Sequence, residues 1–159
     1  MIKSRNMVGA FLECDGKFLM LHRNPGKELE PSMWTGVGGH IEASERNDPL
    51  AACLREITEE TSILPSDILN LHLRYITINY KQEEIRIAFY FFGSLPSFPP
   101  LIATSEGSLQ WIPKEKLFSY ELSSAARYIL EHQARYGDSD KVYVCTINNQ
   151  NNQVHIVQI

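Results

Sequence analysis

Three glutamates, Glu56, Glu59 and Glu60, are the residues whose type and spacing most directly indicate chemistry in this chain. Positions three and four apart share one face of a helix, so the three carboxylates converge if the segment is helical. Like charges at this spacing cost roughly 0.2–0.5 kcal/mol per pair, and acids near a helix C-terminus oppose the helix dipole. A multivalent cation between the carboxylates would offset this repulsion. The spacing therefore indicates a metal site.

The segment that carries these acids has clear helix signals. Asp48 is a suitable N-cap, and Pro49 fits the first helical position. Leu50, Leu54 and Ile57 have the spacing of a buried stripe. We therefore expect a helix from residue 49 whose acidic face lies largely away from the core.

Apolar alternation predicts a sheet around this helix. Strands are expected at residues 7–14, 17–23, 34–41, 69–80, 84–92 and 109–112, and a hairpin at 141–147 and 154–159. A second helix is expected over residues 121–136, with Gly137 as its C-terminal cap. Because both faces of the first two strands are largely apolar, the sheet is expected to be covered on each side.

Composition limits the classes of function. A length of 159 residues suits one domain over residues 1–159, with residues 141–159 as an extra hairpin. The net charge of −4 argues against a broad surface for duplex nucleic acid. The three cysteines match neither a disulfide framework nor a zinc spacing. With no signal peptide or membrane-length apolar run, we expect a cytoplasmic protein that binds no membrane.

The polar residues around the acids resemble the signature of the Nudix hydrolases, the MutT-like diphosphatase family. Its places are occupied here by Gly39, Glu45, Arg55, Glu56, Ile57, Glu59, Glu60 and Ile63. The resemblance implies an α/β fold, an α/β/α sandwich with a central mixed β-sheet between the two predicted helices.

Two features depart from the family pattern. Nine residues separate Glu45 from Arg55, two more than usual, and the extra residues fall in the loop before Asp48. The helix register is therefore expected to be unchanged, while Glu45 itself could lie differently. Ser62 stands where the family usually has glycine, which matters if the helix exit needs a positive φ.

The resemblance implies a cofactor, Mg²⁺ or alternatively Mn²⁺, bound by carboxylate oxygens. Glu56 and Glu60 are the first choices for metal ligands, four positions apart on one helical face. Glu59 is either a third ligand or the base that helps deprotonate the attacking water. The carbonyl oxygen of Gly39 would complete the coordination.

Three further residues have implied roles near the metal. Arg55 would orient a neighbouring glutamate by a charge-assisted hydrogen bond. Glu45 would either anchor its loop against Arg55 or join the metal shell. Glu106 resembles the distant glutamate that some members bring to the metal from a loop, and a solvated loop acid is the alternative interpretation.

Four residues are predicted substrate contacts on the same grounds. Arg23 would bind phosphate, and Thr35 occupies a place where relatives read the base. Trp34 and Trp111 would stack on a base, although core packing explains such aromatics at least as well.

The reaction implied is attack of water on a phosphorus of a diphosphate linkage. The leading substrate class is nucleoside triphosphates, as in MutT-like pyrophosphohydrolases, with oxidised purine nucleotides among the candidates. Dinucleoside polyphosphates and nucleotide sugars are the alternatives. A rival from another class is a catalytically silent, nucleotide-binding sensor, which would be expected to lack the acids found here. The chain would act as a monomer or homodimer on a small nucleotide.

Overall fold

The computed structural model describes residues 1–27, 31–81, 83–148, 150–151 and 153–159. Its helices are α1 (Pro49–Thr61) and α2 (Ser124–Tyr136). Its strands are β1 (Lys3–Cys14), β2 (Lys17–Arg23), β3 (Trp34–Thr35), β4 (Val37–His40), β5 (Leu69–Lys81), β6 (Glu84–Ser94), β7 (Gly107–Pro113), β8 (Tyr143–Asn148) and β9 (Gln153–Gln158). Short 3₁₀ helices cover Ala43–Glu45, Pro65–Asp67 and Lys114–Ser119.

The strands of the described residues form one mixed sheet with the order β3-β2-β1-β6-β5-β8-β9, while β4 pairs with β1 and β7 with β2. β1 runs parallel to β6 and β5 parallel to β8, whereas neighbours such as β5 and β6 are antiparallel. Side chains alternate between the faces of β1, so Ala10 and Leu12 pack in the core beneath α1 and Phe11 packs beneath α2. The predicted α/β/α sandwich is confirmed.

Helix α1 begins where the sequence predicts. The Asp48 side chain accepts a 3.0 Å hydrogen bond from the backbone N–H of Ala51, and Pro49 opens the helix. The helix ends at Ser62, whose φ of 59° is left-handed. The serine therefore occupies a conformation that glycine adopts at lower cost.

The buried face of α1 includes Ile57 as predicted, but it is rotated away from Leu50 and Leu54. Leu50 is 41% exposed, and Leu54 is only partly buried. The buried side chains of α1 are Ala52, Cys53, Ile57, Glu60 and Thr61. The small side chains of Ala52 and Cys53 allow the helix to approach β1, and the Cys53 thiol lies 3.9 Å from the Gly9 carbonyl oxygen. This rotation turns Glu60 towards the sheet instead of away from it.

Helix α2 is three residues shorter at its start than predicted. Ser123 caps it by accepting a hydrogen bond from Ala126 N–H, and Gly137 at φ 72° ends it. The preceding backbone is extended because Trp34 N–H donates to Glu121 and Ser123 N–H donates to Trp34. Ala126, Ile129 and Leu130 of α2 are buried in the core on its side of the sheet.

The predicted C-terminal hairpin is present and widens the sheet. β8 lies parallel to β5, with Asn79 opposite Ile147, and β9 returns antiparallel to β8. Asn149 and Asn152 of the hairpin loop lie outside the described residues. Cys14, Cys53 and Cys145 are buried free thiols. In the described part of the chain, no helix is long and apolar enough to cross a membrane.

Candidate active site

A cavity of about 510 Å³ opens where β4 and the loops after β2 and before β7 meet α1. Seven predicted site residues line it: Arg23, Gly39, Arg55, Glu56, Glu59, Glu60 and Glu106. Sequence reasoning missed two basic residues of the same lining, Arg5 and Lys27. Acidic and basic side chains thus face one cavity, which we call the acidic cavity.

Arg55 is the centre of the hydrogen bonds in this cavity. Its Nε and Nη2 donate to the two oxygens of Glu45 at 2.7 and 2.9 Å. Its Nη1 donates to Glu56 at 2.9 Å and to Glu59 at 3.1 Å, while Nη2 also reaches the His40 carbonyl at 3.0 Å. One guanidinium therefore orients three carboxylates.

The longer loop before α1 leaves this arrangement intact. Glu45 ends the 3₁₀ helix after β4, and its carboxylate accepts from Glu42 N–H at 3.0 Å as well as from Arg55. These hydrogen bonds, first those from Arg55, lower the pKa of Glu45 to about 2. The extra residues are accommodated between Glu45 and Asp48, whose N–H donates to the Glu45 carbonyl at 2.8 Å. The structure thus places Glu45 as the anchor of its loop.

Glu60 is the most deeply placed acid, with only 5% of its surface exposed. Burial is the main reason why the pKa of Glu60 is raised to about 8, and the nearby carboxylates of Glu56 and Glu106 also raise this pKa. A 2.8 Å hydrogen bond from Gly38 N–H and the charge of Arg23 act in the opposite direction. Burial also raises the pKa of Glu56, although Arg55 opposes this. A desolvated pair of carboxylates lies at the floor of the cavity, so a compensating cation is expected.

The donor set fits a hard divalent cation. Oε2 of Glu56 and Oε1 of Glu60 accept no hydrogen bond from any described residue, because Arg55 and Gly38 occupy the other oxygen of each carboxylate. Carboxylate oxygens are the ligands that Mg²⁺ and Mn²⁺ prefer. In the described residues, however, no three acidic, histidine or cysteine side chains stand close enough to hold a metal ion as they are placed. The predicted ligands line the same cavity, but their side chains are not positioned together around one metal site.

Two predicted ligands near the Glu56–Glu60 pair are each bound to a basic side chain. The Glu59 side chain is 58% exposed and turns to Arg55. Glu106 lies in the cavity lining, where its carboxylate accepts from Lys27 Nζ at 2.8 Å. The loops on either side are tied together, because Asn24 N–H and Asn24 Nδ2 donate to the carbonyls of Glu106 and Ser105. The sequence does not predict Lys27 as a site residue, because a lysine after a Pro-Gly turn has no distinctive signal.

Arg23 stands at the edge of the acidic cavity as a cation with unused donor capacity. Its Nε is buried and has no hydrogen-bond partner among the described residues. It lies near enough to Glu60 to lower that residue's pKa. This placement suits an arginine that contacts an anion at the cavity.

Neither predicted stacking tryptophan lines the acidic cavity. Trp34 stacks on His22 at 4.7 Å and meets Tyr120 edge-on at 5.3 Å. Trp111 packs against the core beneath α1 and meets Phe98 edge-on at 5.0 Å. These aromatic contacts agree with core packing, the alternative to base stacking for the two tryptophans. Thr35 lines a second, smaller cavity next to the acidic one.

Comparison with known proteins adds a family match. A family model described as NUDIX domain matches residues 3–133. The chain is 26% identical over 137 residues to the nucleoside triphosphatase NudI of Salmonella paratyphi B, covering 81% of this chain and 96% of that protein. NudI of Salmonella newport matches to the same extent.

Solved structures resemble the fold closely at low sequence identity. A MutT protein from Bacillus halodurans superposes with a TM-score of 0.71 at 19% identity, covering 97% of both chains. A MutT protein from Methanosarcina mazei Go1 gives 0.72 at 20% identity, covering 86% of this chain and 97% of that one. An Ap4A hydrolase from C. elegans gives 0.64 at 16%, covering 85% and 97%. These likenesses concern the fold.

Proposed function

Because the chain belongs to the NUDIX domain family, it is a hydrolase of phosphorus-containing anhydrides, and we propose that it cleaves nucleoside triphosphates with Mg²⁺ or Mn²⁺ as cofactor. Water would attack a phosphorus of the triphosphate, breaking one P–O–P linkage and releasing a nucleoside monophosphate and pyrophosphate. The observation that carries this proposal is the acidic cavity itself, where desolvated carboxylates and basic side chains face the same space.

Glu56 and Glu60 are the proposed metal ligands, through the two carboxylate oxygens that accept no hydrogen bond in the described residues. The Gly39 carbonyl and Glu106 are candidate further ligands from the same cavity lining. A divalent ion bound there would neutralise phosphate oxygens and lower the pKa of a bound water. The carboxylate of Glu59, exposed and held only by Arg55, is available to accept a proton from that water.

Arg55 and Glu45 are proposed as positioning residues. Their paired hydrogen bonds fix the guanidinium, which in turn fixes the Glu56 and Glu59 carboxylates. Arg55 therefore acts through the acids and needs no contact with substrate. Its replacement by lysine would keep the charge but lose the planar fork that reaches several carboxylates at once.

The basic side chains are proposed to bind the polyphosphate. Arg23 brings to the cavity edge a buried Nε that has no partner among the described residues, and Arg5 belongs to the same lining. Lys27 would keep Glu106 at the cavity through their 2.8 Å ion pair. Charges of both signs in one cavity suit a metal-bound polyphosphate, which carries cationic and anionic parts.

Nucleoside triphosphates are the leading substrates because NudI, the similar curated protein, is described as a nucleoside triphosphatase. Dinucleoside polyphosphates remain the alternative, since an Ap4A hydrolase shares the fold. The cytoplasmic location, the single domain and the oligomeric state stay predictions.

A substrate panel with Mg²⁺ tests the proposal. Purified protein is incubated with nucleoside triphosphates, a dinucleoside polyphosphate, a nucleotide sugar and ADP-ribose, and the products are separated. We expect monophosphate and pyrophosphate from the triphosphates and a large loss of activity in Glu60→Gln. The control Glu115→Gln alters an exposed acid that is not part of the cavity lining, and it should keep full activity. Tight retention of one nucleotide without turnover of any would instead support the silent sensor.

A further inference from the structure

A second cavity, of about 100 Å³, adjoins the acidic cavity and shares Met7 and Arg23 with it. We call it the inner cavity. It lies on the face of the sheet that carries α2, beyond the first turn of that helix at Ala125. Since Arg23 borders both spaces, a ligand whose phosphates lie by Arg23 would extend its other end into the inner cavity.

The walls of the inner cavity suit a flat ring. Tyr90 lines it and stacks on Phe11 with 5.9 Å between ring centroids. Gly9 opposite leaves room for this ring, because a Cβ there would lie 2.6 Å from Tyr90 Cε1. Ala88 and Ile147 complete an apolar wall. Ligand pockets of this kind combine apolar walls with a few well-placed polar groups.

Two polar side chains in the inner cavity have unused hydrogen-bonding capacity. Thr77 lines the cavity, and its hydroxyl makes no hydrogen bond within the described residues. Arg86 donates through Nε to Glu84, while its terminal nitrogens bond to no described residue. The Thr77 hydroxyl and the terminal nitrogens of Arg86 are therefore available to a polar ligand in the cavity.

Glu84 fixes the direction of Arg86. One carboxylate oxygen accepts from Arg86 Nε and the other accepts from Arg5 Nε at 2.9 Å. Arg5 lines the acidic cavity and Arg86 lines the inner one. A single carboxylate thus holds two arginines, one for each end of an extended ligand, and leaves the terminal fork of Arg86 available.

We propose that the inner cavity binds the base of the nucleotide and selects a 6-oxopurine, such as guanine, through Arg86. This inference rests on the proposed function, because it assigns the other end of the same substrate. O6 and N7 of a 6-oxopurine are adjacent acceptors that a guanidinium contacts with two parallel N–H donors. Adenine presents a donor at N6, and a pyrimidine has no N7, so either base leaves part of Arg86 unpaired.

The same chemistry narrows the substrate further. A guanine oxidised at C8 carries a hydrogen on N7 and offers Arg86 only one acceptor. The inner cavity therefore favours the unoxidised base over the oxidised purines that the family resemblance suggested. Ile147, which lines this cavity, belongs to β8 and lies beyond the family match at residues 3–133. The C-terminal hairpin is thus part of the specificity site as well as a sheet extension.

The test compares kcat/KM for GTP, ITP, 7-deaza-GTP, ATP and CTP. In the parent chain we expect GTP and ITP to be similar and the others to be lower by roughly 10- to 100-fold, the range of one bidentate base contact. Arg86→Met and Arg86→Lys should raise KM for GTP and ITP with little change in kcat, and should hardly affect CTP. Arg135→Met, which removes an exposed arginine from α2, is the matched control.

Three outcomes would overturn the inference while leaving hydrolysis intact. These are a parent enzyme that prefers pyrimidines or 8-oxo-dGTP, an Arg86→Met variant with unchanged base preference, and a variant that loses activity equally on every nucleotide. The last result would make Arg86 a phosphate contact.

A binding measurement tests the inference even if no nucleotide is hydrolysed. Equilibrium titration of the full chain with GMP, AMP and CMP needs no turnover. Tighter binding of GMP in the parent chain, lost in Arg86→Met and kept in Arg135→Met, would support the base subsite even if the proposed function failed. Equal binding of the three monophosphates would refute it.

Discussion

Substituting Gly39 by alanine tests whether the position of the Glu56 carboxylate controls activity. A Cβ on Gly39 would lie 2.5 Å from Glu56 Oε2 and 2.6 Å from both Oε1 and Cδ. The nearest atoms thus belong to the end of a side chain, so the helix and β4 can stay in place while the carboxylate moves. It must retreat by about 1 Å to reach an ordinary contact distance.

This displacement has two measurable consequences. A misplacement of about 1 Å in a catalytic group can cost ~100-fold in rate, so we expect kcat/KM with Mg²⁺ to fall by about that factor. The 2.9 Å hydrogen bond from Arg55 to Glu56 would weaken, and because both groups are partly solvated we expect a loss of about 1 kcal/mol in the free energy of unfolding. The melting temperature would then fall by roughly 2–4 °C.

Gly26→Ala is the matched control for Gly39→Ala. Among the described residues, Gly26 has no atom within 4 Å of the position of an added Cβ, and its φ is not left-handed. It should keep the parent activity and melting temperature. If Gly39→Ala retained kcat/KM within about twofold of the parent while folding normally, the close fit of Gly39 against Glu56 would have no catalytic role, and the proposed ligand geometry would be wrong.

Two further substitutions test the local structure that places the acids. Ser62→Gly should raise the free energy of unfolding by up to about 1 kcal/mol, since the left-handed φ of 59° strains serine, and kcat should not change; a clear loss of stability in urea unfolding would contradict this. Asp48→Ala should lower the free energy of unfolding by about 1 kcal/mol, because it removes the side chain that caps Ala51 N–H, and the conservative Asp48→Asn should lower it less. Equal unfolding midpoints for the two variants and the parent would refute the capping role.

The sequence predicted those parts of the fold that rest on local chemistry. The N-cap at Asp48, the proline after it and the Gly137 cap each act within one turn of helix, so their residue types suffice. The acidic cavity was predictable in outline because Glu56, Glu59 and Glu60 lie on one short helix. The longer loop before α1 caused no error, because Glu45 and Arg55 find each other through paired hydrogen bonds.

Features that depend on packing between distant segments were not predictable in this way. The rotation of α1 follows from the small side chains Ala52 and Cys53 against β1, whereas the larger leucines suggested another face. Lys27 reaches Glu106 across 79 residues, and no pattern within one segment reveals that contact. The lining of the inner cavity comes from seven strands and α2, so its residues share no sequence motif.

The acids in the second half of α1 differ in how far neighbouring groups compensate their charge, and this difference favours different roles for them. Arg55 already pairs with Glu59 and with one oxygen of Glu56, whereas the Glu60 carboxylate accepts, from the described residues, only the backbone N–H of Gly38. A divalent cation therefore relieves the most unfavourable charge when it binds Glu60, and gains less from Glu59.

Metal dependence should separate the two acids. We expect Glu60→Gln to raise the Mg²⁺ concentration for half-maximal activity by at least about tenfold, because a buried, otherwise uncompensated ligand is lost. Glu59→Gln should lower kcat while leaving that concentration nearly unchanged, as expected for a proton acceptor outside the metal shell. Direct titration of Mn²⁺ without substrate provides a second readout. If Glu59→Gln weakened Mn²⁺ binding as much as Glu60→Gln, Glu59 would have to leave Arg55 to become a ligand.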